Sequence, residues 1–132
     1  MAKVAFISGP IQGMEGRQNY RDRIRSILAK HGYEVIDPWL REKIVYRAGQ
    51  ALPRDFIKRD LEDIDRCDVL VAYMPRLSAG TCMELFYAKL KGKKTIVVCR
   101  LKNPSPWIIE HSDVIVRNFR DLERLLREGC FP

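Results

Sequence analysis

Short, mostly apolar runs recur along this chain, each closed by a breaker and separated from the next by a stretch with a longer period. Val4-Ala5-Phe6-Ile7-Ser8 stops at Gly9-Pro10, and Tyr33 to Asp37 stops at Pro38. Asp68 to Tyr73 ends just before Pro75, and Thr95 to Cys99 and Asp113 to Val116 complete the set. Runs that stay apolar rather than alternating predict strands covered on both faces. Between them lie helical patterns. Tyr20, Ile24, Ile27 and Leu28 recur at helical spacing among arginines from Arg17 to Lys30, and His31-Gly32 supplies a stop. From Pro53 to Arg66, Phe56, Ile57, Leu61 and Ile64 form an apolar stripe with Arg54, Lys58, Arg59, Glu62 and Asp65 turned away. Further helices are predicted from Gly80 to Leu90 and from Asp121 to Arg127. Trp39 to Leu52 has no clean period and predicts a loop holding about one helical turn.

Strands alternating with helices at this spacing predict an α/β fold: a doubly wound, flavodoxin/Rossmann-like parallel sheet of about five strands, helices on both faces, in the order 2-1-3-4-5. The whole chain, 1–132, is expected to form a single domain, since its 46% hydrophobic content is enough for a core. Such sheets bind ligands beyond the carboxyl ends of the strands, where strand order reverses. In this order the crevice lies between the first and third strands. The loops there are Gly9 to Gly16 and Met74 to Gly80, so two glycine-containing loops converge with Glu84.

Charge and cysteine usage narrow the chemistry. A formal net charge of +7 favours an acidic partner, but the basic residues are spread over every segment without an RNA-binding aromatic signature. A small anionic ligand therefore fits better than nucleic acid. Cys67, Cys82, Cys99 and Cys130 show neither CxxC spacing nor a Cys/His cluster, so no metal site and no cofactor are expected, and the thiols should be reduced. GxGxxG and the Walker loop are both absent. The start, MAKVAFISG, enters a strand without a charged leader, and no run approaches a membrane span, so a cytoplasmic place is expected.

The stretch LSAGTCMELFYA, residues 77–88, carries the densest candidate chemistry. Ser78-Ala79-Gly80-Thr81 offers a hydroxyl and backbone N–H groups at the positive end of a helix, which suits a phosphate. Two readings of Glu84 stand open. Thr81 to Glu84 has the spacing of a capping box, in which the glutamate reaches back to the cap, and a first-turn carboxylate also suits an active site. Gly9-Pro10-Ile11-Gln12-Gly13 is either turn chemistry or a ligand loop. Asp60 borders the apolar stripe of its helix, so it belongs either to a solvated face or to the crevice. Cys82 has no partner base in its helix, which argues against a thiol nucleophile.

Three segments, GPI after the first strand, RDLEDIDRCDVLVA, and SAGTCMELFYAKLKGK, together resemble the nucleoside 2-deoxyribosyltransferase superfamily, and within it most the 2'-deoxynucleoside 5'-phosphate N-hydrolases. The likeness covers nearly the whole chain. It implies that Glu84 attacks the anomeric carbon of the sugar, forming a glycosyl-enzyme that water or an acceptor base resolves, while Asp60 assists departure of the base. A helix-terminal glutamate is expected to stay ionised for this. The resemblance also makes Ser78 informative, because free-nucleoside transferases carry an aspartate there and nucleotide hydrolases a serine. It places Ser105 in the site of a neighbouring subunit and so implies a homodimer. Phe6 stands where the deoxynucleotide hydrolases have tyrosine, which leaves room for a 2'-hydroxyl, and Gln12 replaces the family's loop arginine, with Arg17 nearby. Trp39 is a candidate to stack on the base, and Pro10, Ile11, Gly13 and Gly80 complete the expected sugar and phosphate contacts. The implied activity is hydrolysis of a nucleoside 5'-monophosphate to base and sugar 5-phosphate. Base transfer and non-catalytic nucleotide binding are the alternatives.

Overall fold

A computed structural model describes residues 3–47 and 53–129. Five strands, β1 (Val4–Ser8), β2 (Glu34–Ile36), β3 (Val69–Met74), β4 (Lys94–Cys99) and β5 (Val114–Val116), form one parallel sheet in the order β2-β1-β3-β4-β5. The helices are α1 (Asn19–Lys30), α2 (Trp39–Arg47), α3 (Pro53–Asp65), α4 (Ala79–Leu90), α5 (Pro106–His111) and α6 (Phe119–Glu128).

The pleat explains why the strand runs are apolar throughout. Ala5, Ile7, Val69, Val71, Ile96 and Val98 point to one face, where Tyr20, Ile24 and Leu28 of α1 and Leu122 of α6 cover them. Their neighbours Phe6, Leu70, Ala72, Met74, Val97 and Cys99 point to the other, under Ile64 of α3, Leu85 and Ala88 of α4 and Ile108 of α5. Both faces are packed, as the doubly wound expectation requires.

Three segments depart from the sequence expectation. The stretch from Trp39 is helix α2 as far as Arg47, not a loop with one turn; positions 48–52 lie outside the described residues. Its start is fixed by local chemistry rather than by period: Asp37 Oδ1 accepts from the Trp39 N–H at 3.1 Å across Pro38. Helix α5 was not foreseen either. Ser105 caps it, accepting from the Trp107 N–H at 3.2 Å, and Pro106 opens it. Helix α6 starts before Asp121, because Asn118 accepts from the Asp121 N–H at 2.8 Å and so begins the helix at Phe119.

A buried guanidinium joins the sheet end to the first loop. Arg21 of α1, only 1% exposed, donates to the Gly9 carbonyl at 3.0 Å and pairs with buried Asp37 at 2.9 Å. Gln18 donates to the carbonyls of Pro10 and Met14 and accepts from Arg21 Nε. These groups replace the secondary structure that the loop lacks. Removing Asp37 would leave the buried Arg21 guanidinium without its carboxylate, a cost of about 3–5 kcal/mol, whereas Asp37 also pairs with Arg25 at 2.7 Å. Gly9 is held closely: a Cβ there would lie 2.4 Å from the Tyr20 hydroxyl, which donates to the Pro10 carbonyl. Gly13 has φ +82°, a conformation that favours glycine.

Candidate active site

At the carboxyl ends of β1 and β3 a cleft of about 480 Å³ opens where strand order reverses. The first loop contributes Gly9, Ile11, Gln12 and Gly13 to its lining; α3 contributes Phe56, Asp60 and Leu61; the approach to α4 and its first turns contribute Arg76, Ser78, Gly80 and Glu84. Asp60 and Glu84 thus enter one cleft from different helices.

The start of α4 decides what Glu84 can do. Ser78, not Thr81, is the N-cap, and its Oγ accepts from the Thr81 N–H at 3.4 Å and from Thr81 Oγ1 at 2.9 Å. The helix therefore begins at Ala79, and Glu84 sits in the second turn, beyond reach of the cap. The capping box does not form. Instead Glu84 Oε1 accepts from Ser8 Oγ at 2.6 Å. Ser8 is the last residue of β1 and points to the same sheet face as Phe6, the face under α4.

This placement overturns the expectation of a glutamate kept ionised by the helix dipole. Burial pushes the Glu84 carboxyl up to about 7, the hydrogen bond from Ser8 opposes that, Asp60 adds to it and Arg21 opposes it. Asp60, 7% exposed, is likewise raised above the ordinary aspartate range, chiefly by burial. Neither carboxyl belongs to a solvated surface.

Around the α4 N-terminus the cleft is built for a negative charge. Arg76 is exposed, and its guanidinium donates to the Gln12 carbonyl at 2.6 Å, which bridges the two loops. Gly13 lies against the same group, 3.1 Å from where its Cβ would be. Ser78 accepts two hydrogen bonds and keeps its own proton to donate. A side chain at Gly80 would meet nothing within 4 Å.

Of the residues singled out from sequence, the cleft gathers Glu84, Asp60, Gly9, Ile11, Gln12, Gly13, Ser78 and Gly80. Phe6 is fully buried in the core behind Ser8, Pro10 is buried with its carbonyl turned to Gln18 and Tyr20, and Arg17 is exposed away from the lining. Trp39 is 5% exposed at the start of α2 and lines no part of the cleft. Ser105 caps α5, also outside the lining. Sequence reasoning missed Ser8 and Arg76. Ser8 had a signal, since it is the last residue of the strand at the reversal point, and Arg76 stands two residues before the α4 cap. Among the described residues no cluster of three or more His, Cys, Asp or Glu is arranged to hold a metal, and no helix is long and apolar enough to cross a membrane.

A parallel α/β sheet with two raised carboxyls and an anion-suited helix start at its reversal point defines a class of small-ligand site in which acid–base or nucleophilic work is done by carboxyls. The model of the nucleoside 2-deoxyribosyltransferase family matches residues 5–122, and the chain belongs to that family. It is 26% identical over 106 residues to a Thermofilum pendens protein named as a 2'-deoxynucleoside 5'-phosphate N-hydrolase, covering 78% of this chain and 74% of that one. Solved structures share the fold. A 2-deoxyribosyltransferase from Bacillus psychrosaccharolyticus superposes with a TM-score of 0.70 at 19% identity, over 91% of this chain and 90% of the other. A CMP N-glycosidase from Clostridium botulinum gives 0.65 at 22% identity, over 96% and 99%.

Proposed function

We propose that this protein is an N-glycosidase that hydrolyses a nucleoside 5'-monophosphate to free base and sugar 5-phosphate. The observation that carries the reading is the pairing of Glu84 and Asp60 in one cleft whose other end is the α4 N-terminus with Ser78 and Arg76. Family membership restricts the chemistry to the glycosidic bond, and the names of the relatives include both a 5'-phosphate hydrolase and a CMP N-glycosidase. In this reading ionised Glu84 attacks the anomeric carbon, where the oxocarbenium-like transition state develops positive charge, and the Ser8 hydroxyl orients it. Asp60 delivers a proton to the departing base. Water then attacks the glycosyl-enzyme: its hydroxyl goes to the anomeric carbon, its proton goes to Asp60, and the Glu84 carboxylate is released.

Arg76, Ser78 and the free N–H groups at the start of α4 bind the phosphate. An aspartate in place of Ser78 would repel that group, so the serine supports a nucleotide over a free nucleoside. Phe6 brings no hydroxyl to the glutamate, so the sugar pocket tolerates a 2'-hydroxyl, and ribose as well as deoxyribose is within the proposal. We place the reaction in the cytoplasm, in a single domain spanning 1–132, without metal or cofactor. A second copy of the chain, seated on the exposed apolar face of α4 and α5, would bring its Ser105 to the phosphate.

Pure protein incubated with a panel of nucleoside 5'-monophosphates is expected to release free base, read by chromatography, and Glu84→Ala to reduce that release at least ~10³-fold. No release from any monophosphate, or release undiminished in Glu84→Ala, overturns the reading. Product that forms only when a second base is added would indicate the transferase instead.

A further inference from the structure

Behind the cleft, α2 and α3 meet in an ion cluster that the reaction described so far does not use. Arg41 Nη2 lies 2.9 Å from Asp63 Oδ2, 3.1 Å from Asp60 Oδ1 and 3.3 Å from Glu42 Oε2. The three carboxyls are 2%, 7% and 4% exposed as whole residues, for Asp63, Asp60 and Glu42 in turn. Asp63 also pairs with the exposed Arg66 and so has a cation on each oxygen. That leaves Glu42 and Asp60 with one shared guanidinium nitrogen, and their carboxyls face each other within hydrogen-bonding reach. Two carboxylates buried side by side against one cation do not both ionise near neutrality, and a single proton lies between them. Only Asp60 of the two opens into the cleft.

We infer that Glu42 is a positioning residue that stores the proton Asp60 gives to the departing base. The inference rests on the glycosidase reading above. In the resting pair Glu42 carries the proton and donates a hydrogen bond to the Asp60 carboxylate. As the bond from the anomeric carbon to the base nitrogen breaks, its electron pair goes to the base. Asp60 takes the proton from Glu42 and passes it to the base, and the new negative charge on Glu42 faces Arg41. When water resolves the glycosyl-enzyme, its hydroxyl bonds to the anomeric carbon and its proton returns through Asp60 to Glu42, so the pair ends as it began. Burial first, then the facing Asp60, pushes the Glu42 carboxyl up to about 9, in keeping with a group that holds its proton through neutral pH. The charged groups that bear on the pair are Arg41 on α2, Asp63 on α3 with Arg66 just past its end, and Glu84 across the cleft with Arg21 behind it.

Glu42→Gln tests this, since the amide keeps the size and the hydrogen bond to Asp60 but has no proton to release. On a monophosphate that the wild type cleaves, the basic limb of kcat against pH is expected to move acidward by about one unit or more, with KM unchanged. A limb that stays in place, or a loss of rate equal at every pH, overturns the role. Carboxyl-carbon NMR titration without substrate gives a second measurement: the wild-type Glu42 carboxyl is expected to keep its proton above pH 7. Titration of Glu42 in the ordinary glutamate range overturns the inference even if Glu42→Gln fails to fold. Absence of base release by the wild type would overturn the glycosidase reading and this role with it, whereas base release with an unmoved limb overturns the role alone.

Discussion

At the scale of single residues, the proposed reaction asks for an ionised Glu84 and a proton within reach of Asp60. In the proposed reaction Glu84 must be ionised to attack, and its carboxyl near 7 means that activity should rise with pH through neutrality. Ser8 acts on that value directly, because its 2.6 Å hydrogen bond favours the ionised form. Ser8→Ala is therefore expected to move the acidic limb of kcat upward by about one pH unit. Measured at pH 6.5 the variant should be several-fold slower than wild type, and near pH 8.5 the two should converge. An equal loss at both pH values would mean that Ser8 acts on geometry and not on the charge of Glu84. None of this is visible in Phe6, one of the residues that the family resemblance singled out, which is buried two residues deeper in the strand than Ser8.

Among the elements, α4 carries the division of labour in the proposed reaction: its entrance would meet the anion and its second turn the sugar. Arg76 precedes the Ser78 cap and is pinned to the Gln12 carbonyl, so its charge is held at the cleft mouth. Arg76→Gln should raise KM for the monophosphate about tenfold or more while leaving kcat, and any slow cleavage of the free nucleoside, unchanged. Steady-state kinetics on nucleotide and nucleoside side by side separate this from a general loss of structure, which would lower both. Sequence pattern revealed the order of these elements better than their ends. The strand runs were readable because burial on both faces leaves no polar position to confuse them. Ser78 and Thr81 are both good caps three residues apart, and only tertiary packing against Ser8 selects the first, which moves Glu84 from the first turn to the second. Helix α2 was missed because it has no apolar stripe and is started by Asp37 through its side chain, and α5 because it is only six residues long.

At the scale of the whole molecule, α4 and α5 carry five of the eight large exposed hydrophobic side chains among the described residues. Met83, Phe86 and Leu90 of α4 are 72%, 43% and 68% exposed, and Trp107 and Ile109 of α5 are 71% and 53% exposed. His111 stacks with Trp107 and meets Phe86 edge-on, which joins the two helices into one patch. A patch of this kind marks an interaction surface, and the second copy in the proposed function would cover it. Trp107→Glu is expected to sediment as a monomer at concentrations where the wild type sediments as a dimer, and to bind the monophosphate more weakly. A wild type that is monomeric at assay concentration would remove the dimer, and with it the role of Ser105, while leaving the cleft as it is. The same protein shows how information can be shared between distant positions. The volume that a side chain at Gly9 would fill is already taken by the ring of Tyr20, eleven residues on. Positions 9 and 20 thus spell one instruction between them. A larger residue at the first is compatible only with a smaller one at the second, and neither letter can be interpreted without the other.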